Sequence, residues 1–323
     1  MRIIITGASG FVGNGLARHL CHRPDALGRP ISKLILADLT EPSDLHALQD
    51  YAFAEWRCGD LTDPSYLDQL LDEPVDCLFH LASLPGSLAE QKPELGWSVN
   101  LQAPLLLARR LADQSRLGAI TPRVVFASTI AVYGPMGPEA VTEDHPAIPA
   151  ISYGAHKLMT EIGLADLSRR GEVDARSIRL PGIVARPETE SGHGSAFMSL
   201  LFHKARSGSP YVSPVSPQAT AWWMSLETCI ANLVNAAALE TDGLPASRSW
   251  QLPSLHASVG QIIAALEGRF GAESTAKFSF EPDPKIEALF GRLPPLQTPR
   301  AEAAGFVQDE DANALVESVF RNT

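Results

Sequence analysis

Residues 2–13 constrain this chain more than any other stretch. Arg2 to Thr6 is a short apolar, β-branched run, and it meets glycine at every third position, Gly7, Gly10 and Gly13. An apolar run of that length, punctuated by glycine, reads as a strand buried on both faces. Beyond it Leu16, Ala17 and Leu20 fall at helical spacing. The order is therefore strand, tight loop, helix. Across Thr6, Gly7, Ala8, Ser9, Gly10, Phe11, Val12 and Gly13 the pattern is T-G-x-x-G-x-x-G, a dinucleotide fingerprint with altered spacing. The first glycine permits the sharp turn, the second lets backbone approach a pyrophosphate, and the third lets helix and strand pack closely. Free N–H groups at the helix start then face the phosphates.

The next buried run, Leu34 to Ala37, ends at Asp38. A carboxylate there accepts hydrogen bonds from both ribose hydroxyls of an adenosine. It repels a 2′-phosphate, and Leu39, Thr40 and Glu41 supply no cation to neutralise one. The expected cofactor is NAD rather than NADP.

Strand and helix signals keep alternating. Strands are expected to reach Gly59-Asp60-Leu61, to cover Val75 to Leu81, to end near Ala127-Ser128-Thr129, and to stop at Pro181-Gly182. Helical patterns fall between them at Pro64 to Leu71, in NLQAPLLLARRLADQ and in ISYGAHKLMTEIGLADLSRR. This alternation implies an α/β fold of Rossmann type, a doubly wound parallel sheet with its ligand at the carboxyl ends of the strands. After about Pro187 the chain turns loop-rich, with Pro210, Pro214 and Pro217 closely spaced. The expected organisation is a dinucleotide domain over 1–180, with 218–252 returning to it. Residues 181–217 and 253–323 are expected to form a smaller α/β substrate domain.

With 323 residues, 45% of them apolar, the chain can bury a substantial core. A net charge of −11 argues against nucleic acid as a partner. Cys21, Cys58, Cys77 and Cys229 form no C-x-x-C pair and have no His at zinc spacing, so reduced thiols and no metal are expected. No apolar run approaches the roughly 18 residues of a membrane span. The residues ahead of the first strand lack the features of a secretory signal. A cytoplasmic location without a membrane partner is the expectation.

Tyr153 and Lys157 are four apart and share one helix face. Ser128 and Thr129 stand at a strand end, beside the expected nicotinamide position. Tyr153 is expected to take the proton of an alcohol as NAD accepts the hydride. Lys157 and the cationic nicotinamide would lower the pKa of the phenol by charge proximity, and Thr129 would hold the reacting oxygen.

Together these motifs resemble the extended short-chain dehydrogenase/reductases, the group that includes nucleotide-sugar epimerases. The resemblance runs end to end: the glycine loop, Asp38, Gly59-Asp60-Leu61, Phe79-His80-Leu81-Ala82, Asn100, Thr129-x-x-x-Tyr133-Gly134, Tyr153-x-x-x-Lys157 and Leu180-Pro181-Gly182. It implies that Asp60 and Leu61 flank the adenine, and that Leu81, Ala82 and Ser83 line the cofactor. It also implies that Asn100 supports the catalytic group, that the backbone after Pro181, at Ile183, meets the carboxamide, and that Lys157 holds the nicotinamide ribose. The catalytic hydroxyl of that pattern lies four residues before Tyr133, which selects Thr129 over Ser128.

STIAVYG, ISYGAHK, LSRRGEVDARSIRLPGIVARP, PVSP, FEPDPKIEALFGRLP and AEAAGF further resemble the subgroup that oxidises D-erythronate with NAD. That implies oxidation at C2 of a small four-carbon hydroxy acid. One departure stands out. Relatives tend to carry an Arg just after PVSP, where it grips a carboxylate or phosphate, whereas here the chain reads Gln218-Ala219-Thr220-Ala221-Trp222-Trp223. The absence disfavours a nucleotide-sugar pyrophosphate and leaves a carboxylate short of a partner. Ser83, Ser128, His193, Ser195, Arg186 and Lys204 are the remaining polar candidates for the substrate end. Trp222 and Trp223 are expected either as an apolar wall to the substrate or as core.

Three functions compete: a dehydrogenase of a hydroxy acid, a polyol or a less polar hydroxy compound; an epimerase that retains its NAD; and a non-catalytic NAD sensor. The last would not need Thr129, Tyr153 and Lys157 together. Finally, Leu101, Leu105, Leu106, Leu107 and Leu111 wrap over half of one helix. One stripe can cover the sheet and another a partner, so a homodimer is expected.

Overall fold

The computed structural model describes residues 1–40, 51–118, 120–188 and 194–321. The chain divides into two compact units. The first comprises Met1–Val132, Ile151–Arg179 and Asn232–Trp250, and the second Tyr133–Ala150, Leu180–Ala231 and Gln251–Thr323.

The first unit is built on a seven-stranded sheet. Its strands are β1 (Arg2–Thr6), β2 (Lys33–Asp38), β3 (Ala54–Cys58), β4 (Cys77–His80), β5 (Arg123–Thr129), β7 (Asp174–Leu180) and β11 (Ser249–Gln251), in the order β11-β7-β5-β4-β1-β2-β3. β3, β2, β1, β4 and β5 pair in parallel. The strand order reverses between β1 and β4, which is where such sheets leave a crevice for ligands. The sheet is buried because helices cover its faces. Ile3, Ile4 and Ile5 are all inaccessible, as a run without polar alternation requires. One face carries a core of Ile4, Ile35, Leu67, Leu78, Leu111, Phe126 and Leu164.

The expected elements fall close to their sequence positions. The glycine-loop helix is Phe11–His22, and the later helices are Pro64–Leu70, Ala103–Arg116 and Ser152–Arg169. β3 stops at Cys58, short of Gly59, and β4 is confined to Cys77–His80. The apolar helix at Ala103 is preceded by a wider π-helical turn at Ser98–Gln102 that contains Asn100.

In the second unit, β6 (Val141–Thr142) pairs with β14 (Leu296–Gln297), and β9 (Tyr211–Ser213) with β13 (Phe278–Phe280). β10 (Thr220–Ser225) lies between β8 (Gly182–Val184) and β12 (Leu255–Ser258). These pairings shift the expected boundaries. Strand β10 holds 220–225 in the second unit, so within 218–252 only 232–250 joins the first. The 133–150 insertion also belongs to the second unit, because its strand pairs with residues 296–297. This unit's core gathers Phe197, Leu201, Phe202, Trp223, Val259, Ile262 and Phe320. Among the described residues no helix is long and apolar enough to cross a membrane, and no cluster of metal-ligating side chains occurs.

Candidate active site

The glycine loop leaves β1 through Gly7, whose φ of +73° lies in the left-handed region. A Cβ there would stand 2.6 Å from the backbone nitrogen of Ala82. Gly13 is equally constrained, since its Cβ would stand 2.0 Å from the carbonyl oxygen of Gly7. Helix Phe11–His22 therefore packs against the loop that launches it. Its N-cap, Gly10, offers no side chain, so the first-turn N–H groups of Phe11, Val12 and Gly13 receive no side-chain cap. Asp38 closes the other side: one carboxylate oxygen accepts from Ser9 N at 2.9 Å, the other from Leu39 N at 2.8 Å. Beyond β3, Asp60 accepts from both N and Oγ1 of Thr62 and sets the turn that presents Leu61. Glycine cradle, uncapped helix start and terminal carboxylate fit an NAD dinucleotide.

The two strand ends at the switch point are tied together. Thr6 Oγ1 lies 2.9 Å from His80 Nδ1, directly below Gly7 and Leu81. His80 is buried and stacks on Phe126, 5.8 Å between ring centroids. Burial, reinforced by the charge of Lys157, pushes its pKa down to about 3, so the imidazole is neutral. Leu81, Ala82 and Ser83 continue from it, with Ser83 exposed. Asn100 clamps the far end of that loop: its Nδ2 donates to Leu84 O at 2.9 Å and its Oδ1 accepts from Leu84 N at 2.7 Å. Its amide thus shapes the loop, and its carbonyl accepts from Thr160 Oγ1 at 3.3 Å.

Helix Ser152–Arg169 brings Tyr153 and Lys157 to the end of β5. Lys157 is 1% exposed. Its Nζ donates to Ala127 O at 2.8 Å and sits 4.6 Å from the centroid of Phe126 and 5.7 Å from that of Tyr153. Burial pushes its pKa down to about 7, against an opposing pull from the Glu161 carboxylate. Tyr153 and Thr129 are half-buried and accessible, and Thr129 Oγ1 accepts from Ala131 N at 3.2 Å. The arrangement sets a phenol, an ammonium and a hydroxyl at one strand end. It is suited to moving a proton on or off an oxygen.

Two expectations are corrected. Ser128 does not face a substrate: it is buried, and its hydroxyl donates to Glu161. Alternation along the strand turns it away from the side that Thr129 presents. Trp222 is no substrate wall. It is fully buried, and its indole donates to Pro294 O at 2.7 Å, while Trp223 donates to Ala257 O at 2.9 Å within the same unit's core. Elsewhere in the second unit, Pro181 and Ile183 are buried at the entry to β8, where Ile183 pairs with Met224. Ser195 Oγ lies 3.3 Å from the Arg186 guanidinium, and Lys204 is engaged by Glu188 at 3.0 Å. His193 lies outside the described residues. Sequence reasoning missed Glu161, Arg179 and His80 as partners of the site. The i to i+4 spacing of Lys157 and Glu161 was the available signal.

Comparison with known proteins identifies the family. The family described as NAD dependent epimerase/dehydratase matches residues 3–222. The D-erythronate dehydrogenase of Cupriavidus necator is 34% identical over 327 residues, covering 100% of this chain and 98% of the relative. That of Haemophilus influenzae is 31% identical, covering 98% of each. Among solved structures, the nucleoside-diphosphate-sugar epimerase from Agrobacterium tumefaciens superposes with a TM-score of 0.89 at 29% identity, covering 100% of this chain and 94% of that one.

Proposed function

The chain belongs to the NAD dependent epimerase/dehydratase family and is an NAD-dependent oxidoreductase, and from that premise we propose that it oxidises a secondary alcohol of a small hydroxy acid, D-erythronate at C2. The observation that carries this reading is the seating of Lys157 on Ala127 O, one residue from Ser128 and two from Thr129, in a chain 34% identical to a D-erythronate dehydrogenase.

NAD supplies the hydride acceptor when bound. The backbone of Gly7, Ser9, Gly10, Phe11, Val12 and Gly13 would hold its pyrophosphate, and Asp38 the adenosine ribose. Asp60 and Leu61 would flank the adenine, and Leu81, Ala82 and Ser83 the adjoining loop. Asn100 fixes that loop through Leu84. Within the first unit, Thr129 donates to or accepts from the substrate hydroxyl and orients it. Tyr153 accepts the hydroxyl proton at its phenolic oxygen. The ammonium of Lys157 favours the phenolate and so brings the base toward neutral pH.

A dehydrogenase is preferred over a nucleotide-sugar epimerase because the two relatives at 31–34% identity that span essentially the whole chain are D-erythronate dehydrogenases. We further propose a cytoplasmic homodimer that works in carbohydrate metabolism. Leu95, Trp97, Met159 and Ile162 are exposed apolar side chains in and beside the helical layer of the first unit, and support a second copy. The test is Tyr153→Phe: turnover falls by about 1,000-fold or more while NADH binding, followed by its fluorescence, is preserved. A variant that keeps most of its activity refutes the assignment.

A further inference from the structure

Glu161 lies one helical turn beyond Lys157 and is 3% exposed. A buried carboxylate without partners is strongly unfavourable, and this one is engaged on both oxygens. Ser128 donates to its Oε1. Arg179, from β7, donates through Nη2 to Oε2 at 2.7 Å and through Nε to Oε1 at 3.1 Å. The bidentate fork fixes the carboxylate in orientation as well as in charge.

The position of Ser128 gives the pairing a consequence for catalysis. It stands between Ala127, whose carbonyl holds Lys157, and Thr129, the hydroxyl assigned to the substrate. By holding Ser128, Glu161 fixes the three-residue strand end that both groups use. The groups facing Lys157 are Tyr153 and Glu161 on its own helix, the Ala127 carbonyl and the Phe126 ring on β5, and the neutral imidazole of His80 on β4. Glu161 is the carboxylate among them.

We propose that Glu161 is a positioning residue: anchored by Ser128 and Arg179, it keeps the ammonium of Lys157 protonated and seated on the Ala127 carbonyl beneath Tyr153. The inference rests on the reading above, in which Tyr153 and Lys157 carry the proton transfer. Burial alone favours the neutral amine, which cannot stabilise a phenolate. The negative charge one turn away opposes that tendency.

The experiment is an NMR titration of lysine ε-carbons in the full-length protein without cofactor or substrate. The chain has six lysines, Lys33, Lys92, Lys157, Lys204, Lys277 and Lys285, so a Lys157→Met spectrum identifies the signal. In Glu161→Gln the midpoint of Lys157 should fall by about one pH unit, and Glu161→Asp should restore most of it. The double variant Glu161→Gln with Arg179→Met removes the ion pair whole, leaves no unpaired buried charge, and should lower the midpoint in the same direction. An unchanged Lys157 midpoint in either folded variant overturns the proposal, because a purely structural ion pair would leave it in place. The titration needs no turnover, so failure to oxidise D-erythronate would defeat the functional reading alone.

Discussion

Lys157 Nζ and Ala127 O lie 2.8 Å apart, a hydrogen bond between the one buried ammonium of helix Ser152–Arg169 and the strand end that carries Thr129. It spans 30 residues of sequence and locks helix to strand where the chemistry is proposed. Lys157→Met removes the donor while keeping most of the apolar stem. NADH affinity should weaken by about tenfold or more, through loss of the contact proposed to the nicotinamide ribose. Fluorescence titration checks this, and an unchanged dissociation constant would remove Lys157 from the cofactor.

Asp38 does two things at once. Its carboxylate holds the glycine loop through Ser9 N, and it is proposed to accept from the adenosine ribose and so to repel a 2′-phosphate. Asp38→Ala should narrow the preference for NAD over NADP by about tenfold or more, mostly through weaker NAD binding. Comparing kcat/KM for the two cofactors decides it. An undiminished preference places cofactor selection elsewhere.

His80 gives the fold a dependence on acid. Burial pushes its pKa from 6.5 to about 3 in the folded chain. The unfolded chain takes up this proton below about 6.5, whereas the folded chain refuses it until about 3. The stabilisation is therefore complete above about pH 6.5 and is lost as pH falls through that window, at up to about 1.4 kcal/mol per pH unit. His80→Asn keeps a polar partner for Thr6 and does not titrate. Between about pH 6.5 and about pH 5 the wild type should lose about 2 kcal/mol more stability than the variant, measured by urea unfolding. Parallel losses would show that His80 does not stay neutral.

The exposed side chains Trp97 and Ile162 test the assembly. Light scattering at micromolar concentration should give the mass of two chains, and Ile162→Glu should shift it toward one, because a charge in an apolar interface core is poorly tolerated. A wild-type mass of one chain contradicts the homodimer.

Much of this was legible in the sequence, and the limits have a common cause. The glycine loop, Asp38 and the Tyr153–Lys157 pair depend on local geometry, a turn, a strand end and one helical turn, so spacing reveals them. For Ser128 the sequence leaves a substrate role open, and for Trp222 either a substrate wall or core, because nothing nearby in sequence shows what occupies them. Their partners, Glu161 and Pro294, lie 33 and 72 residues away. The partners of His80, which the sequence places only in a motif, and of Arg179 are hidden for the same reason. A buried polar group is recognised by its partners, and those are supplied by the sheet order rather than by the neighbouring residues. The unit boundary shifted likewise, because β10 is claimed by β8 and β12.

The most direct measurement is net NADH formation when the purified protein is given NAD and D-erythronate. The account predicts many turnovers per chain, with one NADH formed per D-erythronate oxidised and a rate lower by about 1,000-fold or more in Tyr153→Phe. Absence of net NADH with D-erythronate would contradict it, and inversion of a nucleotide-sugar carbon by a protein that purifies with its NAD bound would favour an epimerase instead.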